Sequence, residues 1–209
     1  NDGCDDEKPQ RRVYLDGYWI YKFPVTVAQY HKFCEATRRI MPAPPNWGWH
    51  NDHPIVNVTW HDAVAYCQWA GVRLPTEAEW EKAARGTDGR KYPWGDQWDS
   101  SKCANSVERK LSSTKPLSIY PEGVSPYGIH DMSGNVWEWC ADWYGERYDI
   151  HAPNRNPAGP TSGEYRALRG GSWDFSDAIC FRCTFRFKIY PDICLRNRGF
   201  RCAADAGLR

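Results

Sequence analysis

The chain has 209 residues, with 27 Lys and Arg against 26 Asp and Glu for a formal net charge of +1, and that length suffices for one globular domain with a sizeable core. Balanced charge without a long Lys/Arg run argues against nucleic acid and anionic membrane as main partners, and no apolar run approaches the ~18 residues of a membrane span. The first residues, Asn1 to Glu7, are acidic and unlike a signal peptide, so the chain is expected to be soluble.

Val13 to Ile20 carries strand propensity. Thr26 caps the run Val27 to Thr37, in which Val27, Tyr30, Phe33 and Cys34 share one helical face. Thr59 with Asp62 opens a second helix, where Ala63, Tyr66, Cys67 and Ala70 line up before Gly71 stops it. Thr76, three residues before Glu79, makes a capping box for a third, which Gly86 ends after Arg85. Beyond Gly86 the chain breaks into short groups of Gly, Pro, Ser, Asn and Trp, threaded by short strands at Val136 to Trp139 and Ala167 to Arg169. Helices and strands do not alternate, so the expected fold class is α+β, as a single domain over residues 1–209. Twelve Trp with a mean hydropathy of -0.75 imply a core that is aromatic more than aliphatic, its loops pinned by ring packing and indole N–H bonds. Nine Cys is an odd number, so at least one thiol stays free in a monomer, and a monomer is expected. Reduced, partly buried cysteines are the plain reading, and a cytoplasmic location follows from it.

The last fifth of the chain is different. Arg169-Gly170-Gly171-Ser172-Trp173 and Gly199-Phe200-Arg201-Cys202 form a stiff frame around Asp174 to Arg198, a segment crowded with Phe, Ile, Cys and Asp in neither helical nor strand period. Apolar residues in an aperiodic segment read as a patch built to touch a protein partner. The alternative is an ordinary aromatic core segment.

Five motifs, in order, carry a family resemblance: Val72 to Glu81, Tyr92 to Gly95, Asp131 to Trp139, Arg169 to Trp173 and Gly199 to Arg201. Together they resemble the formylglycine-generating-enzyme (sulfatase-modifying factor) family over nearly the whole chain, which implies a loop-rich variant of the C-type lectin-like fold. Enzymes of that family resemble copper oxidases whose metal sits on two cysteines after Gly-Gly-Ser. Counted from Ser172, the two positions fall here on Phe175 and Cys180, so copper is not expected. Cys180 and Cys183 form a lone Cys-x-x-Cys, weak evidence for metal or redox work. His31, His50, His53, His61, His130 and His151 offer no HxH, HExxH or HxxxH, against an iron-dependent sulfoxide synthase.

Other members of the fold resemble the variable proteins of diversity-generating retroelements, whose randomised segment lies between Gly-Gly-Ser-Trp and Gly-Phe-Arg. Randomised AAC-type codons yield no Lys, Glu, Gln, Met or Trp, and only Lys188 of those types lies between Asp174 and Arg198. On this resemblance the variable region spans about 169–202, with ligand-binding residues Asp174, Phe175, Ser176, Asp177, Ile179, Cys180, Phe185, Phe187, Ile189, Tyr190, Asp192, Ile193, Cys194, Leu195 and Asn197. Arg182, Arg186, Pro191, Arg196 and Arg198 are expected to hold the scaffold. The family also implies a structural Ca²⁺ on Asp131, Gly134, Val136 and Glu138, hard oxygen donors in a tight loop. The alternative pairs Glu138 with a buried arginine. A second calcium loop begins at Asn105 but lacks an acidic partner.

The expectation is thus a rigid scaffold displaying a hypervariable surface to a protein ligand, without catalytic activity, in the cytoplasm or displayed at the cell surface. Its rivals are a copper oxidase or related maturation factor, and a purely structural domain.

Overall fold

The computed structural model describes residues 3–107, 112–146 and 153–207. Three helices form where the caps predict them: α1 (Val27–Thr37), α2 (Trp60–Trp69) and α3 (Glu77–Arg85). Each opens on a threonine whose hydroxyl accepts from the backbone N–H three residues on, while that residue's side chain returns to the cap N–H. No described helix is long and apolar enough to cross a membrane.

The strands are short: β1 (Tyr18–Ile20), β2 (Trp137–Trp143), β3 (Arg166–Arg169), β4 (Phe187–Ile189), β5 (Arg198–Gly199) and β6 (Ala203–Asp205). They make a two-stranded sheet, β1-β6, and a four-stranded sheet in the order β4-β3-β2-β5, in which β5 runs parallel to β2. The strand expected from Val13 shrinks to Tyr18–Ile20 because only β6 is available to pair with it. Tyr14 instead bridges Arg155. Two strands, β4 and β5, come from the segment that shows no period, since long-range pairing with β3 and β2 imposes extended backbone there.

The core is aromatic. Trp80, Trp137 and Trp139 are fully buried, and the indole N–H groups of Trp60, Trp80, Trp94, Trp139 and Trp173 donate to protein oxygens, so ring packing and hydrogen bonding pin the loops together. Ion pairs made by two fully buried arginines hold the two ends of the frame. Arg169 reaches Glu81 at 2.5 Å and the carbonyls of Thr184 and Phe185 at 2.7 Å each, while Arg201 grips both oxygens of Glu138 at 2.7 Å. Two glycines of the frame are steric necessities. Gly171 sits at φ +77°, where a Cβ would lie 2.8 Å from the Phe181 ring, and a Cβ on Gly199 would meet the Ile55 carbonyl at 2.5 Å.

Candidate functional site

From the end of the Gly-Gly frame the segment dips into the protein. Asp177 accepts the Ile179 N–H and starts a short 3-10 helix, Ala178–Phe181. The chain then passes beneath the surface at Arg182 and Cys183, pairs as β4, turns outward at Tyr190, and returns inward at Asn197 to form β5.

This path divides the expected ligand-binding residues into three groups. Ser176, Asp177, Tyr190, Asp192, Ile193, Cys194 and Leu195 are exposed. Phe175, Ile179, Phe185, Phe187 and Ile189 are half-buried and pack against the main core cluster, while Asp174 is half-buried beside them. Cys180 and Asn197 are buried, which corrects their expected place on an open surface. The 3-10 helix turns Cys180 inward, and pairing of β5 with β2 draws Asn197 under the sheet edge, where its backbone carbonyl accepts the Trp137 N–H at 2.9 Å.

The arginines expected to hold the scaffold also differ. Arg182 pairs with Glu7, and Arg186 clasps Glu77 through Nε at 2.7 Å and Nη2 at 2.8 Å. The Pro191 carbonyl accepts from the Trp60 N–H, and Arg196 lies over the Trp173 ring. Arg198 has no such role. It is 5 % exposed, yet its Nε and Nη1 find no partner among the described residues.

Arg198 is the register partner of Trp137 across the parallel pair β5-β2, so the two side chains project from the same sheet face. Phe175, Phe185 and Phe187 surround the Trp137 ring at centroid distances of 5.4, 6.0 and 5.0 Å. Beside them Asp174 accepts from the Ser172 hydroxyl at 2.7 Å and from Asn197 Nδ2 at 3.1 Å on each oxygen. Trp137 Nε1 and Asn197 Oδ1 join Arg198 in being buried without a partner among the described residues. Burial lowers the Arg198 pKa, opposed by the neighbouring Asp174 charge. No sequence period could have marked Arg198, because the signal is a missing partner.

The thiols offer one donor where a two-cysteine copper site needs two. Phe175 occupies the first position with its ring edge-on to Trp137, and burial, then the Asp177 charge, push the Cys180 thiol up to about 11, so it is neutral at pH 7. A two-thiolate copper site does not fit these residues. Cys183 is no substitute, because it packs in a different core cluster, with Trp80, Ala83 and Ala84.

The calcium loop is half available. Asp131 is buried with Oδ2 unpartnered among the described residues, and burial raises its pKa to about 6. Both Glu138 oxygens are taken, Oε1 by Arg201 and Oε2 by Arg201 and Trp80, so that carboxylate is neutralised without a metal.

A family model described as a sulfatase-modifying factor enzyme 1-like domain matches residues 1–206. The chain belongs to this family. It is 33% identical to the formylglycine-generating enzyme of Mus musculus over 96% of its own length and 69% of that protein. It is 44% identical to the formylglycine-generating enzyme of Streptomyces coelicolor over 75% of its length, spanning about half (54%) of that protein. A third relative, 32% identical over 99% of the chain and 81% of its own length, is the inactive C-alpha-formylglycine-generating enzyme 2 of Mus musculus. Among solved structures, Treponema denticola variable protein 1 superposes with a TM-score of 0.75 at 25% identity, covering 92% of this chain and 86% of that one. The C-type lectin-like fold of the family, expected from the motifs, is therefore the fold of this chain. The expectation of a protein without catalytic activity is corrected by the same comparisons, since curated formylglycine-generating enzymes at 33% and 44% identity point to an enzyme.

Proposed function

We propose that this family member recognises a protein or peptide segment through the face built from Asp174 to Asn197. Recognition is the step common to both kinds of relative, since an enzyme acting on a protein must first hold it. The observation that carries the reading is the run Tyr190 to Leu195, in which Tyr190, Ile193 and Leu195 are 47%, 39% and 42% exposed on an irregular turn tied down by two backbone bonds, from the Trp60 N–H to the Pro191 carbonyl at 3.0 Å and from the Asn57 N–H to the Leu195 carbonyl at 3.2 Å. Aromatic and aliphatic groups on a rigid base lose little entropy on binding and fill partner pockets, while exposed Asp177 and Asp192 disfavour partners that carry several negative charges. The likeness to a variable protein supports the finer reading that this face differs between copies of the gene. Deep sequencing of the locus in its native population tests it. Substitutions crowded between Asp174 and Asn197 support a diversified face, and an invariant segment refutes one.

A second reading, maturation of a peptidyl cysteine, is favoured by the curated relatives. In this chain it would depend on Cys180, the one thiol at the two positions after Ser172. Incubation with cysteine-containing peptides, followed by mass spectrometry, tests that reading. Turnover by the parent and none by Cys180→Ser supports it; no mass change with either protein counts against it. Structural calcium belongs to the same proposal, with Asp131 as the side-chain donor. Added Ca²⁺ then raises the melting temperature of the parent but not of Asp131→Asn.

A further inference from the structure

Arg198 and Trp137 stand side by side on one sheet face, and three of their N–H groups, Nε and Nη1 of Arg198 and Nε1 of Trp137, are enclosed without acceptors among the described residues. Buried donors are almost always satisfied, and an unpaired buried guanidinium is the most costly kind to leave unmet. Asp174 lies near enough for its charge to act on Arg198, but its hydrogen bonds go to Ser172 and Asn197 and leave Nε and Nη1 of the guanidinium unmet.

We infer that Arg198, Trp137 and Asn197 form a subsite that receives a single carboxylate of the bound protein segment. A carboxylate is planar and presents two oxygens to the guanidinium fork, a match that makes arginine the usual partner for that group. The indole N–H supplies a third donor, and Asn197 Oδ1 can accept an N–H adjoining the carboxylate. Phe175, Phe185 and Phe187, half-buried around Trp137, give the subsite an apolar wall that strengthens a charge-assisted bond. The half-exposed Asp174 carboxylate, bonded to Asn197, opposes any anion in this place and a doubly charged phosphate more than a single carboxylate. This inference rests on the reading of the face as a protein-binding one and names the chemistry at its centre.

The test uses the full chain and small probes, so it does not depend on finding the partner. N-acetyl-phenylalanine carries a terminal carboxylate, N-acetyl-aspartic acid α-amide a side-chain carboxylate, and N-acetyl-phenylalaninamide neither. Melting temperature and tryptophan fluorescence are followed at constant ionic strength, with inorganic phosphate as the other anion. The expected result is saturable stabilisation by one or both carboxylates, with the stronger of the two naming the source, and none by the amide or phosphate. Arg198→Met is expected to weaken carboxylate binding by about tenfold or more, the cost of losing a charged hydrogen-bond donor. Without ligand it is expected to melt no lower than the parent, because it removes a buried guanidinium whose Nε and Nη1 are unmet and leaves the half-exposed Asp174 still bonded to Ser172 and Asn197. Arg198→Lys, which keeps the charge but not the fork, is expected to bind more weakly than the parent. Equal response to acid and amide, preference for phosphate, or a clear loss of ligand-free stability in Arg198→Met would each overturn the inference. A face that proves invariant or finds no partner would fail separately, in the population sequencing, and leaves these titrations readable.

Discussion

Replacing Arg201 with leucine removes the centre of the C-terminal frame, and the cost can be worked from its contacts. Arg201 and Glu138 are both fully buried, joined through Nε and Nη2 at 2.7 Å each. The same guanidinium donates to the carbonyls of Tyr21 at 3.1 Å and His130 at 2.9 Å, tying β2, the loop before it and the chain after β1 into one unit. Arg201→Leu leaves the Glu138 carboxylate buried with only the Trp80 N–H, a situation that costs roughly 3–5 kcal/mol. For a chain of this size that is a fall in melting temperature of about 10 °C. Glu138→Leu with Arg201→Leu leaves no orphaned charge, so the double variant is expected to lose clearly less than the two single losses added together. Thermal and urea unfolding of the four proteins supplies the cycle. A single variant that loses under about 1 kcal/mol, or a double variant that loses the full sum, would refute the claim that the pair anchors the frame.

Other outcomes follow from the same geometry. Asp142 is buried beside Glu77, and desolvation, then that charge, raise its pKa to about 7 from the ordinary 3.8. A carboxyl whose folded pKa is raised contributes stability below its unfolded value and loses it as pH rises through the folded one, so Asp142→Asn should gain on the parent between pH ~4 and ~7, by at most about 4 kcal/mol. A constant difference across that range would exclude the effect. The Sγ atoms of Cys67 and Cys202 lie 3.6 Å apart between α2 and the start of β6. Mild oxidation is therefore expected to remove two thiols, lower the mass by about 2 Da and stabilise by up to about 5 kcal/mol through the long loop it closes. Persistence of both thiols under oxidant, read by alkylation and mass spectrometry, would show that the backbones cannot approach. Trp80→Phe removes the N–H to Glu138 and, because phenyl is smaller than indole, also leaves a cavity at a fully buried site, and is expected to cost about 2–4 kcal/mol in denaturant unfolding. A neutral result would refute both the bond's contribution to holding Glu138 and the tight packing around the indole.

Much of the architecture is local chemistry and was legible as such. Thr26, Thr59 and Thr76 each read as a cap because a short hydroxyl three residues before a polar partner satisfies the orphan N–H groups of a helix start without help from elsewhere. Arg169-Gly170-Gly171 and Gly199-Phe200-Arg201 read as a frame, and the structure gives each its reason in a close approach and a buried ion pair. Their motifs also carried the family, because ordered spacings survive in the sequence itself.

The site was only half legible. Crowded Phe and Ile marked the segment as unusual, but hydrophobicity says nothing about which side chains a fold turns inward. Cys180 and Asn197 are buried because a 3-10 turn and a parallel pairing with β2 place them so, and neither leaves a period in the sequence. Glu138 could have served a cation or an arginine, and only the approach of Arg201, distant in sequence, engages it. Arg198 is the clearest case, since an arginine after Asn197 carries no sign of what it lacks, and the lack exists only once β5 has buried it beside Trp137. Helices, frame and family could be read from neighbouring residues, because caps, glycines and motif spacing act over a few positions. Which charges meet and which stay unmet emerged only on folding, because burial and pairing depend on residues brought together from far along the chain.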